Sequence, residues 1–439
     1  MSSELKKRNV PFSPPDMTEA EANEVRDAIL SGWITTGPRT KKLEKLLAGY
    51  VGVKVDGLHP NCVCLNSQTA CAEMALRVLG IGPGDEVIVP AYTYTASASV
   101  VAHVGAKVVL VDIQSDCLEM DYDKMEAAIT ERTKAIIPVD LAGIPCDYDR
   151  IFAAVERKKG IFNPSNDIQT KLGRVAVCCD AAHALGAKWH GKMVGAIADF
   201  SSFSFHAVKN FTTAEGGAMT WNLPFGEELL DKQQVYFGSS LPMIEGETWN
   251  DFIYRLVQLF SLHGQNKDAL AKTKLGAWEY DIIGPWYKCN MTDVAAAMGL
   301  IQYERYPEML EKRRRHIARF DKAIDDLNLS CDADHQVKYL NHYTDSYQGS
   351  GHLYIVRLLG KTREETNKII EEMAVRGVAC NVHYKPLPMM TAYRAMGYDI
   401  KDFPNAFALF ENEITLPLNT KMTEEDVEYV IENFVDILS

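Results

Sequence analysis

From Cys62 onward the chain alternates between short apolar runs and amphipathic stretches. Cys62–Leu65, Asp85–Pro90, Lys107–Ile113, Lys134–Val139 and Arg174–Cys179 are nearly continuous apolar runs of strand length. Between them, Ser67–Leu79, Thr95–Val104, Asp121–Ile129 and Tyr148–Lys158 carry apolar residues at helical spacing. In the first of these Ala72, Ala75, Leu76 and Leu79 share one face, and Gly80 closes it. Strands without polar alternation are buried on both faces, and strand–helix alternation marks a parallel sheet between helical layers. Such sheets bind ligands at the carboxyl ends of their strands. Asn66–Thr69, Tyr92–Tyr94 and Asp180–His183 fall at those ends.

The flanks read differently. Pro11–Pro15 is an extended arm. Thr18 and Glu21 form a capping box for a helix whose Val25, Ala28 and Ile29 share a face, ended by Gly32. Residues 31–38 are turn-rich, a connector or a pocket lining. Ile161–Gly173 reads as a polar surface insert, and Pro224–Gln258 as a longer mixed insert with no assignable element. From Thr292 the pattern changes: a long helix over Met291–Ile317, a strand over Leu353–Leu358, and helices over Arg363–Arg376 and Glu424–Leu438. The organisation predicted is an arm (1–16), a large domain (17–285, with inserts near 161–173 and 224–258) and a smaller C-terminal α/β domain (286–439).

Composition narrows the function classes. A chain of 439 residues exceeds one hydrophobic core. Its net charge of −13 argues against a broad nucleic-acid or anionic-membrane surface, while leaving room for a local phosphate pocket. The start, MSSELKKRNV, lacks the apolar segment of a secretory signal, and no apolar run is long enough to span a bilayer, so the location expected is cytoplasmic. The ten cysteines are scattered, with no CxxC pair. They read as buried free thiols, not as disulfides or a metal site.

The candidate chemistry centres on Lys209. It stands between the β-prone run Phe200–Phe205 and the Gly216–Gly217 pair that opens the next strand, Ala218–Trp221. An amine placed there can form a Schiff base, favoured when a partly apolar site lowers its pKa. The usual partner of such a lysine is pyridoxal phosphate. It needs an acid against its ring nitrogen, a surface for the ring and donors for its phosphate. Asp180 ends a buried strand, where a pyridinium N–H would pair it. Tyr94 could stack on the ring, Ser67–Gln68–Thr69 stands at a helix N-terminus suited to an anion, and Ser204 could add a hydroxyl. Each has an ordinary alternative: a turn cap, a half-buried aromatic, an N-cap.

These residues sit in stretches that resemble the DegT-type nucleotide-sugar aminotransferases, a branch of the fold-type I enzymes that use pyridoxal phosphate. The stretches are SGWITTGP (31–38), GIGPGDEVIVPAYTYTASA (80–98), GAKVVLVDI (105–113), TKAIIPVDLAG (133–143), DAAHALGA (180–187), SFHAVKNFTTAEGG (204–217), KCNMTDVAAAMGLIQ (288–302) and LPLNTKMTEEDV (416–427). Within the family the pattern is nearest to enzymes that aminate a UDP-4-keto-pentose to UDP-4-amino-4-deoxy-L-arabinose. The resemblance implies a large lobe with a mostly parallel seven-stranded sheet between helices, plus a smaller C-terminal α/β lobe. It implies transfer of an amino group from glutamate, leaving 2-oxoglutarate, to a nucleotide-linked keto sugar for cell-surface polysaccharide synthesis.

Residue by residue, Lys209 resembles the cofactor-binding lysine, Asp180 the partner of the ring nitrogen, and His183 the group near the cofactor's phenolic oxygen. Tyr94 resembles the stacking aromatic, and Gln68, Thr69 and Ser204 match phosphate-loop positions. Asn290, far in sequence from Ser67–Thr69, matches an asparagine that reaches the phosphate from the partner subunit, so a homodimer with shared sites is implied. The other reading of Asn290 is a cap on the helix that follows. Trp33, Thr35, His206, His383 and Tyr384 are the substrate-side candidates. Three features depart from the family and bear on substrate: Gln68 where Gly or Ala is usual, Pro388 where many members have His, and the two long inserts. Three rivals are weaker. A dehydratase of the same family would have His in place of Lys209. A non-catalytic cofactor-binding sensor would be expected to carry a DNA-binding extension or basic patch, and a dinucleotide-binding fold would show GxGxxG after its first strand.

Overall fold

Each central strand feeds two separate hydrophobic cores with alternate residues. In the computed structural model, which describes residues 7–266, 279–329 and 336–438, the chain opens with α1 (Glu19–Leu30) and α2 (Pro38–Val51). The alternation follows: β1 (Cys62–Leu65), α3 (Gln68–Val78), β2 (Glu86–Pro90), α4 (Ala96–His103), β3 (Lys107–Val111), α5 (Tyr122–Ala127), β4 (Thr133–Ile136), α6 (Tyr148–Lys158), α7 (Asp167–Leu172) and β5 (Ala176–Asp180). A small hairpin, β6 (Lys188–Trp189) and β7 (Lys192–Met193), precedes β8 (Phe200–Ser204) and β9 (Gly217–Trp221). Val87, Val89, Ala135, Ala176 and Phe200 enter one core; Ile88, Ile136, Val177, Cys179 and Phe203 enter the other. Burying both faces removes roughly 1.5–3 kcal/mol worth of apolar surface from water for each large side chain. That is why these strands read as unbroken apolar runs.

The seven strands lie in the order β1–β9–β8–β5–β4–β2–β3, as a mostly parallel sheet. β9 alone runs against the others, pairing antiparallel with both β1 and β8. The carboxyl ends of β1, β2, β4, β5 and β8 therefore share one edge with the start of β9. The connection that reverses the chain from β8 to β9 carries Lys209.

The remainder comprises β10 (Gln234–Tyr236), β11 (Ser239–Leu241), α8 (Trp249–Ser261), α9 (Asp293–Asn328), β12 (Val337–Tyr339), β13 (Tyr347–Gln348), β14 (Tyr354–Leu358), α10 (Arg363–Val375), α11 (Thr391–Ala395), α12 (Pro404–Asn412), β15 (Glu413–Leu416) and α13 (Glu424–Leu438). β12, β14 and β15 form an antiparallel sheet. It packs with the C-terminal half of α9 and with α13 into a third core, which takes in Val10 of the arm. Among the described residues no helix is long and apolar enough to cross a membrane, and all nine cysteines are free; Cys331 lies outside them.

Several expectations need correction. Residues 161–173 are not a surface loop: Asn166 caps α7, Gly173 ends it at φ 69°, and Ile168 and Leu172 are buried. Residues 224–258 hold the β10–β11 hairpin and most of α8, whose Trp249, Phe252, Ile253, Leu256, Val257 and Phe260 are buried behind the Thr248 cap. The long helix runs on to Asn328. In α1, Ala28 is buried but Ile29 is 54% exposed, so the apolar face is only partly covered within one chain. α2 was not anticipated. Asp293, at the start of α9, accepts from the N–H groups of Gly37, Arg39 and Thr40 and from the Thr40 hydroxyl, capping α2 from more than 250 positions away.

Candidate active site

Lys209 follows β8 in a connection that is tied down at both ends. Phe205 N–H donates to Gly216 O, and Thr213 N–H returns to Phe205 O. Lys209 N–H closes a turn on His206 O at 2.9 Å. The next residue, Asn210, is anchored across the cavity: its Nδ2 donates to Ser350 O at 3.0 Å and its Oδ1 stands 2.8 Å from His352 Nδ1. The Lys209 side chain is only half-buried, because it reaches a cavity of about 360 Å³ at the sheet's carboxyl edge. Surrounding protein lowers its pKa to about 8, against the opposing pull of Asp180. A sizeable neutral fraction of the amine is thus available near neutrality.

Asp180 closes β5, buried at the same edge. Burial raises its pKa, while the Ser97 hydroxyl, the Ala182 N–H, Lys209 and Gln68 stabilise the charge. Ser97 Oγ donates to Oδ2 at 2.7 Å and Ala182 N–H to Oδ1 at 3.1 Å. A carboxylate accepts about four hydrogen bonds, so Asp180 keeps capacity for one more cationic donor from the cavity.

The opposite end of the cavity suits an anion. Ser67 caps α3: its Oγ accepts Ala70 N–H and its carbonyl accepts Cys71 N–H. The N–H groups of Gln68 and Thr69, first in the helix, have no intrahelical acceptor. Gly217 lies directly beneath them. A Cβ there would stand 2.6 Å from Gln68 N and 2.6 Å from Ser67 C, so the close approach of β9 to the start of α3 requires glycine. The Gln68 side chain turns away into the sheet, where Nε2 donates to Ser202 Oγ at 3.0 Å. The bulk that departs from the family pattern is thereby absorbed beside Asp180, leaving the backbone N–H groups clear. Amine, isolated carboxylate and anion cradle together fit pyridoxal phosphate.

The side walls come from three directions. His183 Nδ1 accepts the Ala142 N–H at 3.2 Å, which puts the ring proton on Nε2, 3.4 Å from the Tyr384 hydroxyl. Burial, with Lys209 and His383 nearby, holds its pKa well below the usual range, so the ring is neutral. Ala142 adopts φ 59°, a left-handed conformation unusual for alanine; from it the residue donates to His183 and accepts the His352 N–H at 3.0 Å. Tyr94 is 60% exposed and stands over the cavity with its ring 5.7 Å from that of Tyr384. His383 and Tyr384 line the same cavity, as do His206 and Glu215, whose side chains stand 3.6 Å apart.

The fold gathers Lys209, Asp180, His183, Gln68, Thr69, Tyr94, Ser204, His206, His383 and Tyr384 around this one cavity. It leaves out Trp33, Thr35 and Asn290. Asn290 Nδ2 donates to Thr36 Oγ1 at 2.6 Å, and Thr35 O accepts the Asp293 N–H. Asn290 does not cap α9; Thr292 does. Nor is it remote from the anion cradle of its own chain: it bridges Leu65, two residues before Ser67, although its side chain points to Thr36.

Among the cavity residues that escaped the sequence reading are Phe12, Asp140, His352 and Leu353. Asp140 was findable, since it lies just beyond β4 at the same strand edge that singled out Asp180. Burial raises its pKa to about 7 against the Cys146 N–H and the Tyr148 hydroxyl. Ser97, which touches Asp180 without lining the cavity, follows Thr93 by one helical turn.

The sequence profile of the DegT/DnrJ/EryC1/StrS aminotransferase family matches residues 15–435. The spore coat polysaccharide biosynthesis protein SpsC of Bacillus subtilis (strain 168) is 34% identical over 443 residues, spanning 99% of each chain. "Uncharacterized protein MJ1066" of Methanocaldococcus jannaschii is 36% identical over 433 residues, 98% of this chain and 97% of that one. Among solved structures, "Putative sugar aminotransferase Spr1654" from Streptococcus pneumoniae superposes with a TM-score of 0.86 at 50% identity over 98% of both chains in its apo-form. Its PLP-form gives 0.86 at 50% and its PMP-form 0.87 at 52%.

Proposed function

The chain belongs to the DegT/DnrJ/EryC1/StrS aminotransferase family, and on that premise we propose that it moves an amino group from glutamate to a nucleotide-linked keto sugar. The observation that carries the reading is Lys209 and Asp180 in one cavity with the open N-terminus of α3. The aminated sugar would serve cell-surface polysaccharide synthesis, a role supported by the likeness to SpsC.

The cofactor is pyridoxal phosphate, which when bound supplies an aldehyde that condenses with amines and a ring that takes up the electrons of the bond being broken. Lys209 Nζ is the amine that would hold that aldehyde at rest. Asp180 would accept the ring N–H, the N–H groups of Gln68 and Thr69 with the Ser204 hydroxyl would hold the phosphate, and Tyr94 and His183 would line the ring's place. Once glutamate has displaced it, Lys209 Nζ would take the proton from the donor's α-carbon as a general base and hand it to the cofactor's carbon as an acid, ending neutral. In the second half-reaction the nitrogen, neutral again, would take a proton back from the cofactor's amine-bearing carbon and deliver it to the sugar carbon that receives the amine. The neutral His183 adds no positive charge that would depress the Lys209 amine further.

The working unit is a homodimer, and Asn290 serves the partner subunit's site. Support comes from Asn290 lying outside the cavity with its side chain on Thr36, in the segment that carries the exposed apolar residue Ile34 and follows the exposed Ile29 and Leu30. A twofold axis would set that patch against the other cavity. The function is tested by incubating purified enzyme with L-glutamate and a panel of nucleotide-linked keto sugars. Mass spectrometry should show exchange of the keto oxygen for an amine in at least one, with 2-oxoglutarate formed in step. No exchange across the panel, despite bound cofactor, would sink the reading.

A further inference from the structure

Glu413 opens β15, wholly excluded from solvent, and plays no part in the chemistry above. Its Oε1 accepts the Thr415 hydroxyl at 2.5 Å. Both carboxylate oxygens also accept the backbone N–H of His383, at 3.3 and 3.2 Å. Thr415, equally buried, stands 2.9 Å from His383 Nδ1. His383 lines the cavity. A chain of three side chains thus runs from the cavity wall to a carboxylate behind it.

A threonine hydroxyl has one proton to give. With that proton on the bond to Glu413, the threonine oxygen can only accept, so His383 Nδ1 carries the ring proton. Phe12 stacks on the ring at 5.4 Å, and Tyr384 stands edge-on at 5.0 Å. What the imidazole has left for the cavity is the lone pair on Nε2. Burial, reinforced by Lys209, holds its pKa down to about 3, which keeps that lone pair free of a proton.

Resting on the reading of this cavity as a keto-sugar site, we propose that His383 binds the sugar by accepting a hydrogen bond from one of its hydroxyls at Nε2, and that Thr415 and Glu413 are positioning residues that fix its tautomer. The ligand class follows from the surroundings. Phe12 and Tyr384 beside a neutral acceptor match a sugar ring, which presents C–H faces to aromatics and O–H groups at its edge.

The chain of bonds reverses when Glu413 takes a proton. The groups facing Glu413 are Thr415, His383, Tyr384, Tyr92, Cys380 and Arg363 of α10, the one cation among them. Burial outweighs Arg363 and raises Glu413 to about 7. Below that pH the carboxyl donates to Thr415, Thr415 donates to Nδ1, and Nε2 becomes the protonated nitrogen.

The test reads the tautomer and the kinetics separately. In full-length protein labelled with nitrogen-15 histidine, His383 at pH 8 should show a protonated Nδ1 and a bare Nε2. Thr415→Ser should keep that state and Thr415→Val should lose it. With L-glutamate and UDP-linked 4-keto sugars as probes, Thr415→Val should lower kcat/KM for the sugar half-reaction on the order of tenfold, mainly through KM. The glutamate half-reaction and the visible band of bound cofactor should not change. A bare Nδ1 in the wild type at pH 8, or wild-type sugar kinetics in folded Thr415→Val, would overturn the proposal. If the wild type takes nitrogen from glutamate and passes it to no sugar, the sugar reading itself fails, while the tautomer measurement still decides whether the relay exists.

Discussion

The Ser97 hydroxyl donates to Asp180 Oδ2 at 2.7 Å, with both side chains buried. Thr93 Oγ1 stands 3.0 Å behind Ser97 Oγ. Since the serine proton goes to the carboxylate, Thr93 must donate to Ser97. Two hydroxyls in series thus feed the charge proposed to pair with the cofactor ring. Removing the donor destabilises only the ionised form, so Ser97→Ala should raise the Asp180 pKa. Activity lost as Asp180 protonates should then disappear at a higher pH: the acid limb of the kcat profile moves up, with kcat falling roughly tenfold at neutral pH. Asp180→Asn sets the outer limit, a loss of several orders of magnitude with a smaller loss of cofactor affinity. A Ser97→Ala profile that superposes on the wild type would reduce this bond to packing.

Lys209 makes a spectroscopic prediction. Its amine attacks an aldehyde only when neutral, and its pKa sits at about 8. The rate at which apoprotein captures pyridoxal phosphate should therefore rise with pH, reaching half its maximum near pH 8. Lys209→Ala should lose the visible band that borohydride bleaches. A mutant that kept a borohydride-reducible band would place the covalent bond on another lysine.

Two buried groups pull the stability in opposite directions over one pH range. Burial lowers His342 to about 4, so the unfolded chain binds the extra proton between about pH 6.5 and 4. Stability from this residue is complete above 6.5 and drains away as pH falls, by about 3 kcal/mol at most. Asp140, raised to about 7, has the reverse sign: the folded state holds the proton, and stability is lost as pH rises from about 4 to 7. Chemical denaturation from pH 4 to 8 should show the cost of His342→Phe shrinking towards acid and that of Asp140→Asn shrinking towards neutrality. Parallel curves for the two variants would contradict both assignments.

Subunit mixing tests whether the site is shared. Lys209→Ala and an Asn290 variant deficient in cofactor binding should each be inactive alone. If Asn290 serves the other chain, one site of a mixed dimer collects both lesions and the other is intact. Activity should recover to about a quarter of the wild type when equal amounts exchange at random, half of the dimers being mixed and each having one working site of two. No recovery, with exchange shown by differential labels, would assign Asn290 to its own subunit.

Much of the large sheet could be read from the chain because burial on both faces leaves a local trace, an unbroken apolar run such as Ala176–Cys179. Lys209 and Asp180 were legible for the same reason: each is a polar residue at the end of such a run. Other features left no local trace. The Asp293 cap on α2 and the Glu413–Thr415–His383 chain join segments that meet only after folding. α8 did leave a signal, Thr248 and Asp251 followed by Phe252, Ile253, Leu256, Val257 and Phe260 at helical spacing, but it was obscured by the turn-rich residues before it. α7 is too short for periodicity to distinguish from a loop.

Ala142 has a consequence for how this enzyme can vary. An L-residue in the left-handed region costs on the order of 1 kcal/mol, and a β-branched one costs more. Substitution at this position therefore inverts the ordinary order of tolerance. Glycine, a weak choice in most buried segments, is the replacement the backbone accepts most readily, while valine or threonine would twist the loop and pull His183 and His352 apart together. A directed-evolution library randomised at Ala142 is in effect screened for backbone geometry first, and the catalytic readout reaches only the few variants that pass.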